Sequence, residues 1–474
     1  MKKTASFILM VIFVFTAFMG MAAAAPPYEG DIDSNAVMLL DATTGQVLFE
    51  KNADEQILPA STTKIMTCIV ALENASLDDM VTVGPEGDWT GSGYSLMGLK
   101  NGQQLSLREL IYGMMLISGN DAAAAIAVHV GGSLEGFADM MNQKAQELGM
   151  TGSHFITSHG ADTEGHYVTA RDMATLSLYA MKNEQFMQIV GSASHDFPSM
   201  SSLTEKDKRN TNKLLISNVL EGETNYYYEY ATGIKTGSTP KAFRCLVSSA
   251  EKDGMKLLCL IFGDETTDGT ERWPLAKDLF EYGFNNYQTV NLQSAIDSAA
   301  PVSVTVADAS ADDAQGGELV LNAVYAGAPE VTLDKTLAQS VVQAGLVATV
   351  ELSSGEQLRA PVKAGDTVGV VKYHAQSGEE VAQAQLVASR DVADATGLAP
   401  AQLDEDAAVN PYPVTDNTVT DDSDPWLWLV LAVVLAAAVL LLIVNLARGR
   451  KKKARRNYAR RSSGAYRNTR GGRR

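Results

Sequence analysis

Three short motifs supply, in one order along the chain, side chains that together suit acyl transfer from a serine. They are Ser61-Thr62-Thr63-Lys64, Ser118-Gly119-Asn120 and Lys235-Thr236-Gly237. A serine hydroxyl needs a base before it becomes a nucleophile, and the leaving group needs a proton. Enzymes that lack a Ser-His-Asp triad draw these groups from serine and lysine. The motifs therefore predict a serine acyl-transfer site.

Ser61 and Lys64 are the predicted nucleophile and base. Pro59-Ala60 precedes the serine and apolar residues follow it at helical spacing, so Ser61 is expected at a helix start, where free N–H groups favour negative charge. Lys64 lies one turn on, on the same face. Burial and nearby cations would lower its pKa enough for it to act as a base. Considered alone, this motif favours a capping serine and a solvated lysine instead.

The second motif offers a proton carrier and an amide. Ser118 has a hydroxyl that can pass a proton to a leaving amine, and the amide of Asn120 can hold a peptide carbonyl. Alone, this motif is equally typical of a turn or cap before the alanine-rich segment that follows.

The third motif is the most specific. Lys235 supplies a positive charge, Thr236 and Thr239 supply hydroxyls for a carboxylate, and Gly237 lets a substrate backbone approach a strand edge closely. The alternative is a strand with a surface lysine. All three motifs in this order make the catalytic interpretation the better one.

The elements that must position these motifs follow from periodicity. Residues 35–51 have the pattern of a hairpin, and residues 107–181 are helix-rich. Residues 233–262 are predicted to form two antiparallel strands, with the third motif on the first, and residues 273–284 form a helix. This order predicts a mixed sheet with a helical insertion.

Beyond residue 287 the sequence changes to short runs that are rich in β-branched residues or alternate between apolar and polar residues, with turn residues between the runs. The pattern predicts a small all-β domain that ends near residue 389. Residues 394–424 are acidic and contain prolines, which is linker composition. Cys68, Cys245 and Cys259 stand in apolar contexts typical of small buried side chains, and no spacing indicates a metal site.

Both ends of the chain have the composition of membrane-targeting segments. Lys2 and Lys3, an apolar run and the small residues Ala22–Ala25 form a signal-peptide pattern. Residues 426–446 are uncharged and long enough to cross a bilayer core of about 30 Å. The tail after them is basic, which predicts that it is cytoplasmic and that the bulk of the chain is outside. The net charge of −18 is therefore the sum of an acidic exported part and a basic tail. The acidity of the exported part argues against a nucleic-acid partner.

The motifs and their surroundings resemble the serine D-alanyl-D-alanine carboxypeptidases, the low-molecular-mass penicillin-binding proteins. The resemblance covers residues 36–287. The matching stretches are Leu58-Pro59-Ala60-Ser61-Thr62-Thr63-Lys64-Ile65-Met66-Thr67, Ser118-Gly119-Asn120-Asp121-Ala122-Ala123, Ser158-His159-Gly160, Ala170-Arg171-Asp172 and Gly233-Ile234-Lys235-Thr236-Gly237-Ser238-Thr239.

The resemblance implies a fold and a domain order. The fold is an α/β (α+β) penicillin-binding-protein and β-lactamase-like catalytic domain with a helical insertion, followed by a small all-β domain and one C-terminal transmembrane helix. The predicted segments are a signal peptide at 1–24, the catalytic domain at 25–287, a small β-rich domain at 288–393, an acidic disordered linker at 394–424, a transmembrane helix at 425–446 and a basic cytoplasmic tail at 447–474.

The resemblance also implies a reaction. The enzyme would remove the terminal D-alanine from peptidoglycan stem pentapeptides through a Ser61 acyl-enzyme, and β-lactams would acylate the same serine. Lys64 would take the serine proton, Ser118 would relay a proton to the leaving D-alanine, and Asn120 would orient the donor amide. Lys235, Thr236, Gly237, Ser238 and Thr239 would complete the substrate site, with the N–H groups of Ser61 and Ser238 as the oxyanion hole. No cofactor or metal is implied.

One departure concerns the substrate carboxylate. Some relatives bind it with an arginine before the third motif, and Thr211 stands at that place here. Lys213 or Arg244 is the candidate replacement.

Two other functions are compatible with the same fold. A β-lactamase shares the serine and lysine chemistry, but the chain has no Glu-x-x-Leu-Asn segment between the second and third motifs. A non-catalytic wall-binding protein would be expected to have lost a motif residue, and none is lost.

Overall fold

The computed structural model describes residues 32–89, 93–266, 269–298, 302–325 and 329–395. The strands, in chain order, are β1 (Ala36–Asp41), β2 (Val47–Lys51), β3 (Met80–Thr82), β4 (Gln104–Ser106), β5 (Ala231–Thr239), β6 (Phe243–Lys252), β7 (Met255–Asp264), β8 (Tyr287–Asn291), β9 (Ser303–Thr305), β10 (Glu318–Val324), β11 (Glu330–Asp334), β12 (Val347–Leu352), β13 (Thr367–His374) and β14 (Glu380–Ala388). The helices are α1 (Lys64–Asn74), α2 (Leu107–Tyr112), α3 (Asn120–Gly131), α4 (Leu134–Glu147), α5 (Ala170–Ala180), α6 (Glu184–Val190), α7 (Arg272–Asn286), α8 (Gln293–Asp297) and α9 (Lys335–Ala344).

The central element is a five-stranded antiparallel sheet in the order β2-β1-β7-β6-β5. Alternate side chains of a strand point to opposite faces, and here both faces are covered. Met38 and Leu40 pack with the helices of the insertion, whereas Val37 and Leu39 pack with Trp273 of α7. The sheet is therefore buried on both sides, which explains why its strands are almost continuously apolar.

The helical insertion lies between β2 and β5 and contains α1 to α6. The predicted hairpin at 35–51 and the helix-rich segment at 107–181 are confirmed. The prediction of two strands over residues 233–262 is wrong, because three strands, β5, β6 and β7, occupy this stretch. Pro240, with a fixed φ and no N–H, opens a tight turn between Thr239 and Phe243.

The three cysteines are buried and free, as predicted for small apolar side chains. Burial raises the pKa of each thiol, to about 11 for Cys245. A protonated thiol is a poor nucleophile, so these residues contribute packing.

A second five-stranded sheet forms the part of the chain that follows α7, in the order β12-β13-β14-β10-β9. Leu319, Val371 and Leu386 lie in its buried cluster, together with Leu337 and Val341 of α9. The small β-rich domain predicted from the sequence is therefore present, with α9 packed into its core.

A buried carboxylate joins the first five-stranded sheet to a two-stranded sheet that β8 and β11 form. Asp41, at the end of β1, is fully buried, and its Oδ2 accepts hydrogen bonds from Thr289 of β8 and Thr332 of β11 at 2.5 and 2.9 Å. Its Oδ1 accepts from the backbone N–H of Thr43 at 2.7 Å. Hydrogen bonds to a charged group are worth about 1.5–3 kcal/mol each, so these contacts tie the β8–β11 pair firmly to the β2-β1-β7-β6-β5 sheet.

Within the described parts of residues 32–395, no helix is both long and apolar enough to span a membrane. The predicted signal peptide at 1–24 and the predicted transmembrane helix at 425–446 lie outside the described residues, as does the basic tail.

Candidate active site

Ser61 lies in a 3₁₀ turn, Ala60–Thr63, that leads directly into α1. Ala60 has a φ of +49°, in the left-handed region that residues other than glycine rarely adopt. Thr63 Oγ1 donates a hydrogen bond to the Ala60 carbonyl at 2.9 Å and so holds this conformation. The strained turn presents Ser61 at a helix start, where free N–H groups favour developing negative charge.

Two glycines allow other segments to pack against this turn. A Cβ at Gly237 of β5 would lie 3.0 Å from the Ala60 side chain and 3.2 Å from the Ser61 nitrogen. A Cβ at Gly160 would lie 1.8 Å from the Ala60 carbonyl oxygen. Gly237 was predicted to let a substrate backbone approach the strand edge. In the structure, the space left by its missing side chain lies against the Ala60–Thr63 turn, called the nucleophile turn below.

The amine of Lys64 is fully buried and contacts three groups. Its Nζ lies 2.9 Å from Ser61 Oγ, 2.7 Å from Asn120 Oδ1 and 3.0 Å from the carbonyl oxygen of His159. The first contact joins the predicted base to the predicted nucleophile, and the second joins the first motif to the second.

The protonation state of Lys64 follows from its surroundings. Burial, and next the charge of Lys235, hold the pKa of Lys64 well below its usual range, and the nearby Asp121 opposes this shift. A neutral amine has two N–H donors, which match the two acceptor-only oxygens of Asn120 and His159. Its lone pair is then left for the Ser61 hydroxyl, which is the geometry that a general base requires.

The second motif lies where two helical segments meet. Ser118 ends a π-helical turn, Gly113–Ile117, with a φ of +67°, and Asn120 begins α3. Both side chains are largely buried. The backbone N–H of Asn120 donates to the carbonyl of Ser95 at 2.8 Å, which fixes the residue 93–99 segment beside the motif.

Lys235 lies on β5 and is also buried. Its Nζ donates to the carbonyl of Thr236 at 3.1 Å, and burial lowers its pKa to about 7. The charge of Lys235 contributes to the lowered pKa of Lys64, so the two amines interact electrostatically. The third motif therefore lies beside the first, as the sequence predicted.

The hydroxyls at the end of β5 are already engaged. Thr236 Oγ1 donates to Thr211 Oγ1 at 2.7 Å, and Thr239 Oγ1 donates to Asp162 Oδ1 at 2.6 Å. Thr211, which replaces the arginine of some relatives, thus contacts the third motif directly. Asp162 was not recognised in the sequence, because nothing local links it to a residue so far along the chain.

Of the two candidate cations for a carboxylate, Arg244 is the one that contacts the motif. Its guanidinium donates to the hydroxyl of Ser238, the residue opposite it in the β5–β6 pairing. The amine of Lys213 lies 5.6 Å from the centre of the Tyr226 ring instead.

Two further residues, to which the sequence analysis assigned no role in the site, support it. Asp121 is buried, and its carboxylate accepts hydrogen bonds from the backbone N–H groups of Met97, Gly98 and Leu99 at 2.9, 2.8 and 3.1 Å. An acidic residue in the first turn of a predicted helix was the available signal. Asp121 thus shapes the segment that borders Asn120.

His166 supports the nucleophile turn. Its Nδ1 accepts from the backbone N–H of Ile156 at 3.0 Å, so its Nε2 carries the proton and donates to Thr63 Oγ1, 3.0 Å away. Burial lowers its pKa to about 4, and the ring is neutral. His154 and His159 bond to backbone groups, and no group of three potential metal ligands occurs among the described residues.

The assembled site can perform acyl transfer. A partly exposed hydroxyl faces a buried amine with a lowered pKa, Ser118 lies two residues before Asn120, which contacts the same amine, and Lys235 and Arg244 lie on β5 and β6. Acyl transfer from a serine requires groups of these kinds: a nucleophile, a base, a proton carrier and an anchor for an anion.

Comparisons with known proteins agree with this chemistry. Residues 20–266 match a family described as D-alanyl-D-alanine carboxypeptidase, and residues 339–394 match the penicillin-binding protein 5 C-terminal domain. The chain is 33% identical over 399 residues to D-alanyl-D-alanine carboxypeptidase DacC of Escherichia coli strain K12, covering 80% of this chain and 89% of the relative.

Two more relatives extend the likeness. DacA of the same strain is 34% identical over 382 residues, covering 77% of this chain and 85% of the relative. The crystal structure of penicillin-binding protein 5 from Haemophilus influenzae superposes with a TM-score of 0.61 at 28% identity, covering 78% of this chain and all of that chain. The fold is thus a penicillin-binding-protein and β-lactamase-like catalytic domain followed by a small β domain, and the chain belongs to the serine-type D-alanyl-D-alanine carboxypeptidase family.

Proposed function

We propose that this carboxypeptidase removes the terminal D-alanine of peptidoglycan stem peptides through an acyl-enzyme on Ser61. The observation that carries the proposal is the 2.9 Å contact between Ser61 Oγ and the buried amine of Lys64. As Oγ attacks the carbonyl of the penultimate D-alanine, its proton passes to Lys64 Nζ. The peptide C–N bond breaks, Ser118 delivers a proton to the departing amine, and the proton held by Lys64 returns to Ser118. Water then attacks the ester and gives a proton to Lys64, and that proton passes to Ser61 Oγ as the shortened peptide leaves.

The remaining motif residues orient the substrate. The oxygen of Asn120 is bonded to Lys64, so its amide nitrogen is the group that meets a substrate carbonyl. The hydroxyls of Thr236 and Thr239 turn from their present acceptors, Thr211 and Asp162, to the free carboxylate beside Lys235, and Arg244 takes the role of the arginine that is missing at position 211. Backbone N–H groups of Ser61 and Ser238, beside Gly237, form the oxyanion hole. β-Lactams acylate the same serine.

We expect Ser61→Ala to reduce the rate of D-alanine release at least about a thousandfold, because the nucleophile is lost. Covalent labelling by a fluorescent penicillin should disappear as well. Ser354→Ala, in the β domain, is the matched control and should keep both activities. Unchanged D-alanine release in the Ser61 variant would show that another residue is the nucleophile. Rapid turnover of nitrocefin by the wild type, with no lasting penicillin label, would instead favour a β-lactamase.

The pH dependence should have an alkaline limit set by Lys235. Its charge is present below its pKa of about 7 and is lost as the pH rises through that value. If this charge binds the substrate carboxylate, kcat/KM for D-alanine release falls over the same range. Lys235→Arg, which keeps its charge, should move this limit upward by more than about one unit even if the rate is lower. An alkaline limit of the wild type near the ordinary lysine pKa would contradict the assignment.

Arg244→Ala should raise KM for a D-alanyl-D-alanine peptide about tenfold or more, since a charge-assisted contact to a carboxylate is worth about 1.5–3 kcal/mol. The preference for a free C-terminal carboxylate over a C-terminal amide should shrink by the same factor. Lys213→Ala, which removes the other candidate cation, should change neither by more than about twofold. If Lys213→Ala raised KM and Arg244→Ala did not, Lys213 would be the residue that binds the carboxylate.

We further propose that the enzyme is anchored by residues 425–446, with the catalytic domain outside the cell membrane and the basic tail inside. The uncharged run, Trp426 and Trp428 at its start and the cations after it support this orientation. Protease added to intact cells should degrade the catalytic domain and spare an epitope on residues 447–474. A chain that ends at residue 424 should be released into the medium. Its retention in the membrane would overturn the proposed anchor.

A further inference from the structure

The loop between α4 and α5 contacts three separate parts of the site. The carbonyl of His159 accepts from Lys64 Nζ at 3.0 Å. A Cβ at Gly160 would lie 1.8 Å from a carbonyl oxygen of the nucleophile turn, so the loop backbone is packed directly against that turn. Asp162 then contacts Thr239, the last residue of β5. The loop therefore runs from the base, past the nucleophile, to the end of the strand that carries the third motif.

Asp162 occupies the hydroxyl of Thr239. Thr239 Oγ1 donates to Asp162 Oδ1 at 2.6 Å, and the same Oγ1 accepts from the backbone N–H of Ala242 at 2.9 Å. A hydroxyl has one proton, so it donates to one acceptor at a time. The contact with Ala242 keeps the oxygen in place while the proton turns about the C–O bond. The hydroxyl proton of Thr239 is thus already used when no substrate is bound.

The carboxylate of Asp162 is held where it is. Its Oδ2 accepts from the backbone N–H of Lys241 at 3.3 Å. The N–H of Ala161, the preceding residue, donates to the ring nitrogen Nδ1 of His159 at 3.2 Å, and the loop is packed against the nucleophile turn. The negative charge of Asp162 therefore stays beside Thr239 even when the hydroxyl turns to another acceptor.

The substrate carboxylate needs the same hydroxyl, an argument that rests on the proposed function. Thr239 must give up Asp162 before it can donate to the substrate. Two carboxylates that lie on either side of one hydroxyl oxygen are about 5 Å apart, and like charges at that separation repel each other. Lys235 and Arg244 attract the substrate carboxylate, whereas Asp162 opposes its binding.

We propose that Asp162 competes with the substrate carboxylate for the hydroxyl of Thr239 and so limits the affinity of the enzyme for peptides that end in a free carboxylate. The D-alanine that is released carries the same carboxylate, so the competition weakens the binding of this product as well. When D-alanine leaves, the hydroxyl of Thr239 returns to Asp162. Asp162 thus adjusts the carboxylate site towards release, against the two cations that favour binding.

The test measures D-alanine release from Nα,Nε-diacetyl-L-lysyl-D-alanyl-D-alanine by the full-length enzyme. Asp162→Asn removes the charge but keeps an oxygen that can accept from Thr239. It should lower KM at least about fivefold, because the repulsion between two charges about 5 Å apart is lost, and it should change kcat by less than about threefold. The concentration of D-alanine that halves the rate, measured with the peptide at its KM, should fall by a similar factor.

Two control variants separate the competition from other effects of the loop. Asp162→Glu keeps the charge and should not lower KM. Glu164→Gln removes an exposed charge two residues further along the same loop and should change KM by less than about twofold.

An Asp162→Asn enzyme whose KM is unchanged or raised, or which D-alanine inhibits no more strongly than the wild type, overturns the competition. A fall in KM of the same size in either control does so too. The proposed function stands in each of these cases, because D-alanine is still released. A wild type that releases no D-alanine from this peptide overturns the proposed function and the competition with it.

Discussion

The burial of the Lys64 amine is the constraint on which the geometry of the site depends. An amine that is removed from water must have partners for its hydrogen-bonding groups, and these come from three segments: Ser61 before α1, Asn120 at the start of α3 and the carbonyl of His159. A shift of any one of them leaves a buried polar group unpaired. The same burial that organises the segments also lowers the pKa of the amine, so the structural role of Lys64 and the base role proposed for it have one physical cause.

Close backbone approach is the second requirement, and small residues meet it. Gly160 and Gly237 approach the nucleophile turn from two sides, at distances that leave no room for a Cβ without displacement of the turn. Ala60 has a strained φ between them, and His166 stabilises it through Thr63. Ala60 therefore holds this strain directly before Ser61, at the start of the turn that leads into α1.

The motif residues could be predicted from the sequence, because the chemistry of each follows from its residue type and its local spacing. Ser61, Lys64, Asn120 and Lys235 are brought together as the motifs predicted, and the hairpin at 35–51 and most helices follow from periodicity. What could not be predicted depends on contacts between distant segments. Asp162 reaches Thr239, His166 reaches Thr63 and Asp41 reaches Thr332 only in the folded chain. The missed turn at Pro240 has a different cause: the residues on both sides continue the strand pattern, so the break rests on one proline.

The two buried lysines also link the proposed binding of the substrate carboxylate to the protonation of the proposed base. The pKa of Lys235 is about 7, so near neutral pH its charge is only partly present. A substrate carboxylate beside Lys235 favours the charged form and raises this pKa. The charge gained on Lys235 in turn lowers the pKa of Lys64 further, because that interaction already acts between the two amines. The negative charge of the carboxylate acts on Lys64 in the opposite sense, so the proton gained by Lys235 offsets that charge and limits the rise in the pKa of Lys64 when an anionic substrate binds.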